Sequence, residues 1–230
     1  MKLGDRPGLL TVQGLKGMTD EPAYSAGGPV MIPESVGTTQ CDSGSIIHHD
    51  AAAEIRRQAE AFGFHEVYLL PASEIVTARW VEMKCRYGCA YYDTSWCCPP
   101  AAPGLEATRE LISEYRIALL LVQARRDDRF RGKPAIKRRG QVQMWKATVG
   151  LERRLFLMGY YKAFGMPSEA CALCKECAYP RPCKFPNEKR PATEACSIDV
   201  FQTAKKVGRS PRVAGSTADQ YESYSLILIA

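Results

Sequence analysis

The chain has 230 residues, 46% of them apolar and 24% charged, with a net charge of +6 from 31 basic and 25 acidic side chains. That length suits one domain with appendages and can bury a real core; the balance is that of an ordinary globule, too mildly basic to imply a nucleic-acid partner by itself. No apolar run approaches the roughly 18–20 residues that cross a bilayer, and no apolar signal core follows Lys2, so a cytoplasmic, non-secreted, non-membrane protein is expected.

Residues 1–44 are rich in Gly, Pro, Ser and Thr, hold Tyr24 as their one aromatic, and read as a flexible leader ahead of a domain over residues 45–230. Asp50 is placed to cap a helix through Phe62 that Gly63 ends. Val67 to Leu70 reads as a strand stopped by Pro71, and Ile75 to Val81 as a second extended segment running into Cys85. Beyond Pro99-Pro100, the residues Leu105, Thr108, Leu111, Ile112 and Tyr115 mark one helix face, and Ile117 to Val122 a buried strand. Residues 125–139 read as a basic loop. Val142, Trp145, Val149, Leu155 or Phe156, and Tyr160 carry a helical stripe to Phe164, with Gly165 and Pro167 as stops. Pro191 opens a helix from Ala192 to Val207, closed by Gly208, and Tyr224 to Ile229 forms a strand that must join a sheet. No regular βαβ repeat appears. The expected class is α+β, a small mixed sheet with packed helices and two cysteine-rich loops.

Eight of the ten cysteines fall into Cys85-x3-Cys89-x7-Cys97-Cys98-Pro99-Pro100 and Cys171-x2-Cys174-x2-Cys177-x5-Cys183, with Cys196 downstream. Without an export signal such thiols read as metal ligands or redox groups, not as a disulfide framework. The second group resembles the bacterial ferredoxin run that wraps a 4Fe–4S cluster, with a wider last gap. Zinc is the alternative, although it usually takes two separated ligand pairs. In two-cluster ferredoxins the last cysteine serves the other cluster, so Cys196 could complete a site; it also falls on one helix face with Val200, Thr203 and Val207, where a thiol is simply a small hydrophobe. Cys85, Cys89 and Cys98 form a three-thiol set, with the Cys97 side chain expected to point elsewhere. Either a distant thiol closes this set, or one metal position stays open to substrate. The Cys-x3-Cys opening is similar to that of radical S-adenosylmethionine enzymes, but the next gap is wrong and the barrel repeat is missing.

The ordered strings "CRYGCAYYDTSWCCPP", "LFLMGYYKAF" and "CALCKECAYPRPCKFPNEKRPATEACSIDVFQTAKK" resemble a family of cysteine-rich predicted metal-binding proteins, a bacterial and archaeal domain of unknown function found often in anaerobes. The resemblance covers roughly residues 50–230. It maps a Cys-x3-Cys and Cys-Pro-Pro pattern onto Cys85, Cys89 and Cys98, and the second loop onto Cys171, Cys174, Cys177 and Cys183. Cys97 falls where that pattern does not require cysteine.

The remaining candidates are weaker. Arg125 to Arg139 holds eight basic residues that could dock an acidic redox partner, but a solvated loop explains them as well, and only Phe130 is available for base stacking. His48-His49-Asp50 could supply nitrogen ligands or a general base, although a histidine pair just before a helix N-cap is more often exposed and inert, and His65 at a strand start is ambiguous; Tyr91, Tyr92 and Trp96 would shield a cluster from water or simply pack. The leading expectation is an iron–sulfur protein with one or two 4Fe–4S clusters, passing electrons to a redox partner or a small-molecule substrate. An enzyme using an open iron as Lewis acid, for sulfur removal or a lyase reaction, is the alternative. A zinc-stabilised binding module is the third.

Overall fold

A computed structural model describes residues 49–126, 134–213 and 220–230. The expected leader lies outside the described residues.

Four strands, β1 (Glu66–Pro71), β2 (Ile117–Arg126), β3 (Phe164–Met166) and β4 (Gln220–Leu228), form one sheet in the order β1-β2-β4-β3. The helices are α1 (His49–Ala61), α2 (Arg79–Gly88), α3 (Leu105–Ser113), α4 (Pro134–Leu157) and α5 (Val200–Lys206). The α+β class holds. Every strand pair is antiparallel, where the sequence suggests a mixed sheet.

Helices cover both faces of this sheet, which explains why β2 is an unbroken apolar run. A strand buried on one side alternates, whereas one buried on both does not. Leu119 and Leu121 face Ile55 and Ala59 of α1 and Ala147, Leu151 and Leu155 of α4. Ala118, Leu120 and Val122 face the opposite way, toward Ile112 of α3, Ala204 of α5, and Ile198 just before α5. The C-terminal strand is central, pairing Leu226 with Leu120 and Met166. Its period-two pattern sends Leu226 and Leu228 to one core and Ile227 to the other. Truncating Leu120, fully buried between layers, would cost about 3 kcal/mol.

Several boundaries differ from the sequence reading. The extended segment predicted over Ile75–Val81 is short: only Thr77 bridges, to Ile198, and from Arg79 the chain is helical, so Cys85 sits on α2. The long stripe stops at Leu157, and Gly159 in the left-handed region (φ 101°) turns the chain toward β3. Gly165, expected as a helix stop, lies in β3; its amide donates to Glu152 Oε2 at 2.7 Å, and a β-carbon there would stand 2.9 Å from that oxygen. The helix predicted over 192–207 is broken in two. A 3-10 turn at Glu194–Cys196 ends at left-handed Ser197, and α5 begins only after Asp199, whose side chain caps it by accepting the Gln202 amide. The basic stretch is not all loop, since β2 runs to Arg126 and α4 starts at Pro134; residues 127–133 lie outside the described part.

Candidate metal centre

The two cysteine groups meet beside a third apolar cluster of Cys97, Ala102, Trp145, Val149, Leu173, Ala192 and Ala195. Three backbone contacts seat the first group. Thr77 pairs with Ile198, Ala78 N–H donates to Ser197 O at 2.8 Å, and Asp199 N–H donates to Val76 O at 2.7 Å. These pin the start of α2 to the segment after the second loop. Cys85 then lies in the last turn of α2, Cys89 just past its end, and Cys98 is brought back by turns in which Cys98 N–H donates to Ser95 O and Ala102 N–H to Cys98 O.

The second group occupies a run with no strand and only a short 3-10 turn at Pro186–Glu188. Side chains of α4 hold that run where the backbone ladder does not. Arg138 donates to Leu173 O at 2.8 Å, Trp145 Nε1 to Glu188 O at 2.8 Å, and Arg153 to Asn187 O at 2.8 Å. Arg190 forms a two-point ion pair with Glu152, which is 7% exposed. Arg138 belongs to the basic stretch, so part of that stretch is a loop anchor.

The loops also bind each other. Trp96 Nε1 donates to Arg181 O at 2.8 Å, its ring packs edge-on against Tyr179 at 5.1 Å, and Tyr179 O–H donates to Asp93 at 3.1 Å. Lys189 sits over the Trp96 ring, and Ala192 N–H donates to Cys97 O at 3.0 Å. Tyr91 is exposed and Tyr92 half-buried.

All nine described cysteines are free thiols. Cys97, Cys171, Cys174, Cys177 and Cys183 line one small cavity with Ser95, Trp96, Leu173, Phe185 and Lys189. Cys85, Cys89 and Cys98 are neighbours. Burial first, then the Cys89 thiol, pushes Cys85 above the usual thiol range, and the same causes push Cys98 up to about 12. In the second group burial, then Cys171, Cys177 and Cys183, pushes Cys174 up. Cys171 moves the opposite way, because a hydrogen bond from Cys97 favours its thiolate; Cys97 is correspondingly raised. Two sulfurs accept backbone amides: Tyr91 N–H donates to Cys89 at 3.5 Å and Phe185 N–H to Cys183 at 3.4 Å. Among the described residues, no three His, Cys, Asp or Glu side chains close on a point that could hold one metal ion.

Cys196 is placed elsewhere. It is fully buried in the core with Leu70, Ile75, Ile112 and Ile198, and burial pushes its thiol up to about 12. His65 accepts the Ala124 amide at the sheet, His49 opens α1, and His48 lies outside the described residues. Sequence reasoning passed over Cys97; the signal available to it was only the doubled Cys97-Cys98, whose adjacent side chains must diverge.

The donor set suits soft metals. Thiolates select iron–sulfur clusters or zinc, whereas magnesium and calcium want oxygen, and no carboxylate lines the five-thiol cavity. Such a combination defines a class: a helix-covered antiparallel sheet carrying two thiol groups on adjoining loops. The chain belongs to the family described as "Predicted metal-binding protein (DUF2284)", whose model matches residues 68–229 and so contains both groups. No curated protein and no solved structure matches it. No described helix is long and apolar enough to cross a membrane.

Proposed function

We propose that this metal-binding protein is an iron–sulfur protein in which Cys171, Cys174, Cys177 and Cys183 hold a 4Fe–4S cluster that passes single electrons, with Cys85, Cys89 and Cys98 serving a second. The observation that carries the reading is that all four cysteines of the ferredoxin-like run line one cavity, with Trp96, Leu173, Phe185, Lys189, Ser95 and Cys97 as its other walls and no carboxylate among them. A bound cluster supplies a one-electron couple, with a potential set by charge, burial and hydrogen bonds to sulfur. The chain's own residues address each of these. The Phe185 amide points at Cys183, Lys184 lies near Cys174, and Lys189 offsets thiolate charge. Trp96 and Phe185 limit water, while Cys177 is exposed beside Lys175 and Glu176, where a partner protein or small substrate can approach.

Protein prepared without oxygen is expected to show broad absorption near ~400 nm that dithionite bleaches, with iron and sulfide in a ratio of about one. Protein that reconstitutes only with zinc would instead be a zinc-stabilised module. A second reading is favoured by Cys196, which packs in the core against Thr108 and leaves Cys85, Cys89 and Cys98 as three thiols. An iron with one non-protein position there would act as a Lewis acid. Four protein ligands on every iron, seen by anomalous scattering, would exclude it.

A further inference from the structure

We propose that the outer face of α2 is a docking surface for an acidic protein electron carrier, received by Trp80, Lys84, Arg86 and Tyr87 on the helix that bears Cys85. That the partner carries electrons rests on the redox reading above; that it is acidic rests on this surface alone.

Trp80, Lys84 and Tyr87 follow one another at helical spacing along α2 and so share one face. Trp80 is 49% exposed and Tyr87 77%. A single exposed ring needs no explanation. Here both rings carry a cation: Lys84 Nζ stands 4.9 Å from the centroid of Trp80, and the Arg86 guanidinium 5.6 Å from that of Tyr87. Neither cation has a carboxylate partner among the described residues. Arg79, at the start of the helix, differs, because Glu82 and Glu106 take its charge. Complementing the helix C-terminus explains Arg86 in the last turn, but neither Lys84 nor the two open rings.

Tryptophan, tyrosine and arginine are the residues that dominate protein interfaces, and unpaired positive charge selects an acidic partner. A cation held on a ring has already lost part of its rotamer freedom, so less is lost when a partner's carboxylate takes its free N–H donors. A nucleic acid would need open ring faces for its bases, and a cation covers a face of each ring here. α2 also carries Cys85 and ends at Cys89, so a partner seated on it meets the backbone that holds the first thiol group. In the hand-off the carrier loses one electron and the first centre gains it.

The test uses full-length protein prepared without oxygen. Two acidic one-electron carriers, a plant-type 2Fe–2S ferredoxin and a flavodoxin, serve as probes, and calorimetry at low salt reads their binding. The same carriers with amidated carboxylates and an oligothymidylate are the comparisons. At least one acidic carrier is expected to bind, less tightly as salt rises, while its amidated form does not. The double variant Lys84→Glu, Arg86→Glu should weaken binding about tenfold or more, and Trp80→Ala about tenfold. Lys84→Arg should bind as wild type does. All four side chains are exposed, so metal content should stay unchanged in every variant. Unchanged binding by the double variant, or no binding of either acidic carrier to wild type, overturns the proposal. Oligothymidylate held more tightly than both carriers and released by the same variants would make the face a nucleic-acid site. A wild-type dimer that those variants dissociate would make it a contact between copies of the chain; either result also overturns it. Wild type holding zinc sinks the redox reading alone, because carrier binding still decides what this face receives. An iron–sulfur protein that binds neither carrier sinks the docking proposal alone.

Discussion

The two thiol groups are held by different kinds of structure. The first hangs on regular elements: Cys85 on α2, and Cys98 in tight turns against the start of α3. The second lies in an irregular run whose backbone has almost no ladder, so Arg138, Trp145, Arg153 and Glu152 of α4 reach out to fix it. A thiol on a helix is positioned by the helix. One on a loop depends on distant side chains, and its geometry is only as stable as those anchors.

The strongest way to break this comparison is to empty one group. Cys174→Ala is expected to abolish metal at the second group and leave the first loaded, whereas Cys85→Ala should do the reverse; metal analysis of oxygen-free protein reads both. Equal losses in both variants would mean a single shared centre. Next comes the anchor. Glu152→Ala leaves Arg190 half-buried without its carboxylate, which should cost about 3 kcal/mol in denaturant unfolding. The second group should lose metal faster than the first, because only its loop is released.

Cys196 sharpens the contrast, being a thiol that belongs to neither group. Its folded value of about 12 stands above the ordinary 9.0. Between those two pH values the unfolded thiol is ionised while the folded one keeps its proton. Folded protein then binds more protons, so the contribution of Cys196 to the stability of the metal-free chain should be flat below pH 9.0 and fall as pH rises through that window. Tyr68, raised to about 12 chiefly by burial, adds to the fall above pH 10.0. Cys196→Ala should make the alkaline loss shallower and leave metal content unchanged. Lost metal would return Cys196 to the ligand set. The smallest effect is expected from Trp96→Phe, which keeps an aromatic side chain but removes the bond to Arg181 O, at about 1 kcal/mol.

Much of the scaffold was legible in the chain. Gly63 does end α1, the run from Ile117 is a buried strand, and the last residues do find a sheet. Burial on both faces also shows as an unbroken apolar run. What failed was local structure near the thiols. Residues 192–207 have helical character, yet pairing of Thr77 with Ile198 and a left-handed Ser197 split them. Phe164–Met166 read as the end of a helix because nothing local announces a three-residue edge strand; its partner, Leu226 to Leu228, is about sixty positions away. Arg138 looked like solvated charge because its acceptor, Leu173 O, belongs to a different loop.

By itself the sequence determined that this protein is built around soft-metal donors, because thiols at two-residue gaps carry their chemistry in their spacing. It also determined a helix-and-strand core through apolar periodicity, a property of neighbours along the chain. Only the tertiary structure decided which thiols keep company. It set Cys97 against Cys171, grouped Cys98 with Cys85 and Cys89, and sent Cys196 into the core. The reason is that adjacent side chains diverge, and where each one arrives depends on what the rest of the fold has put there.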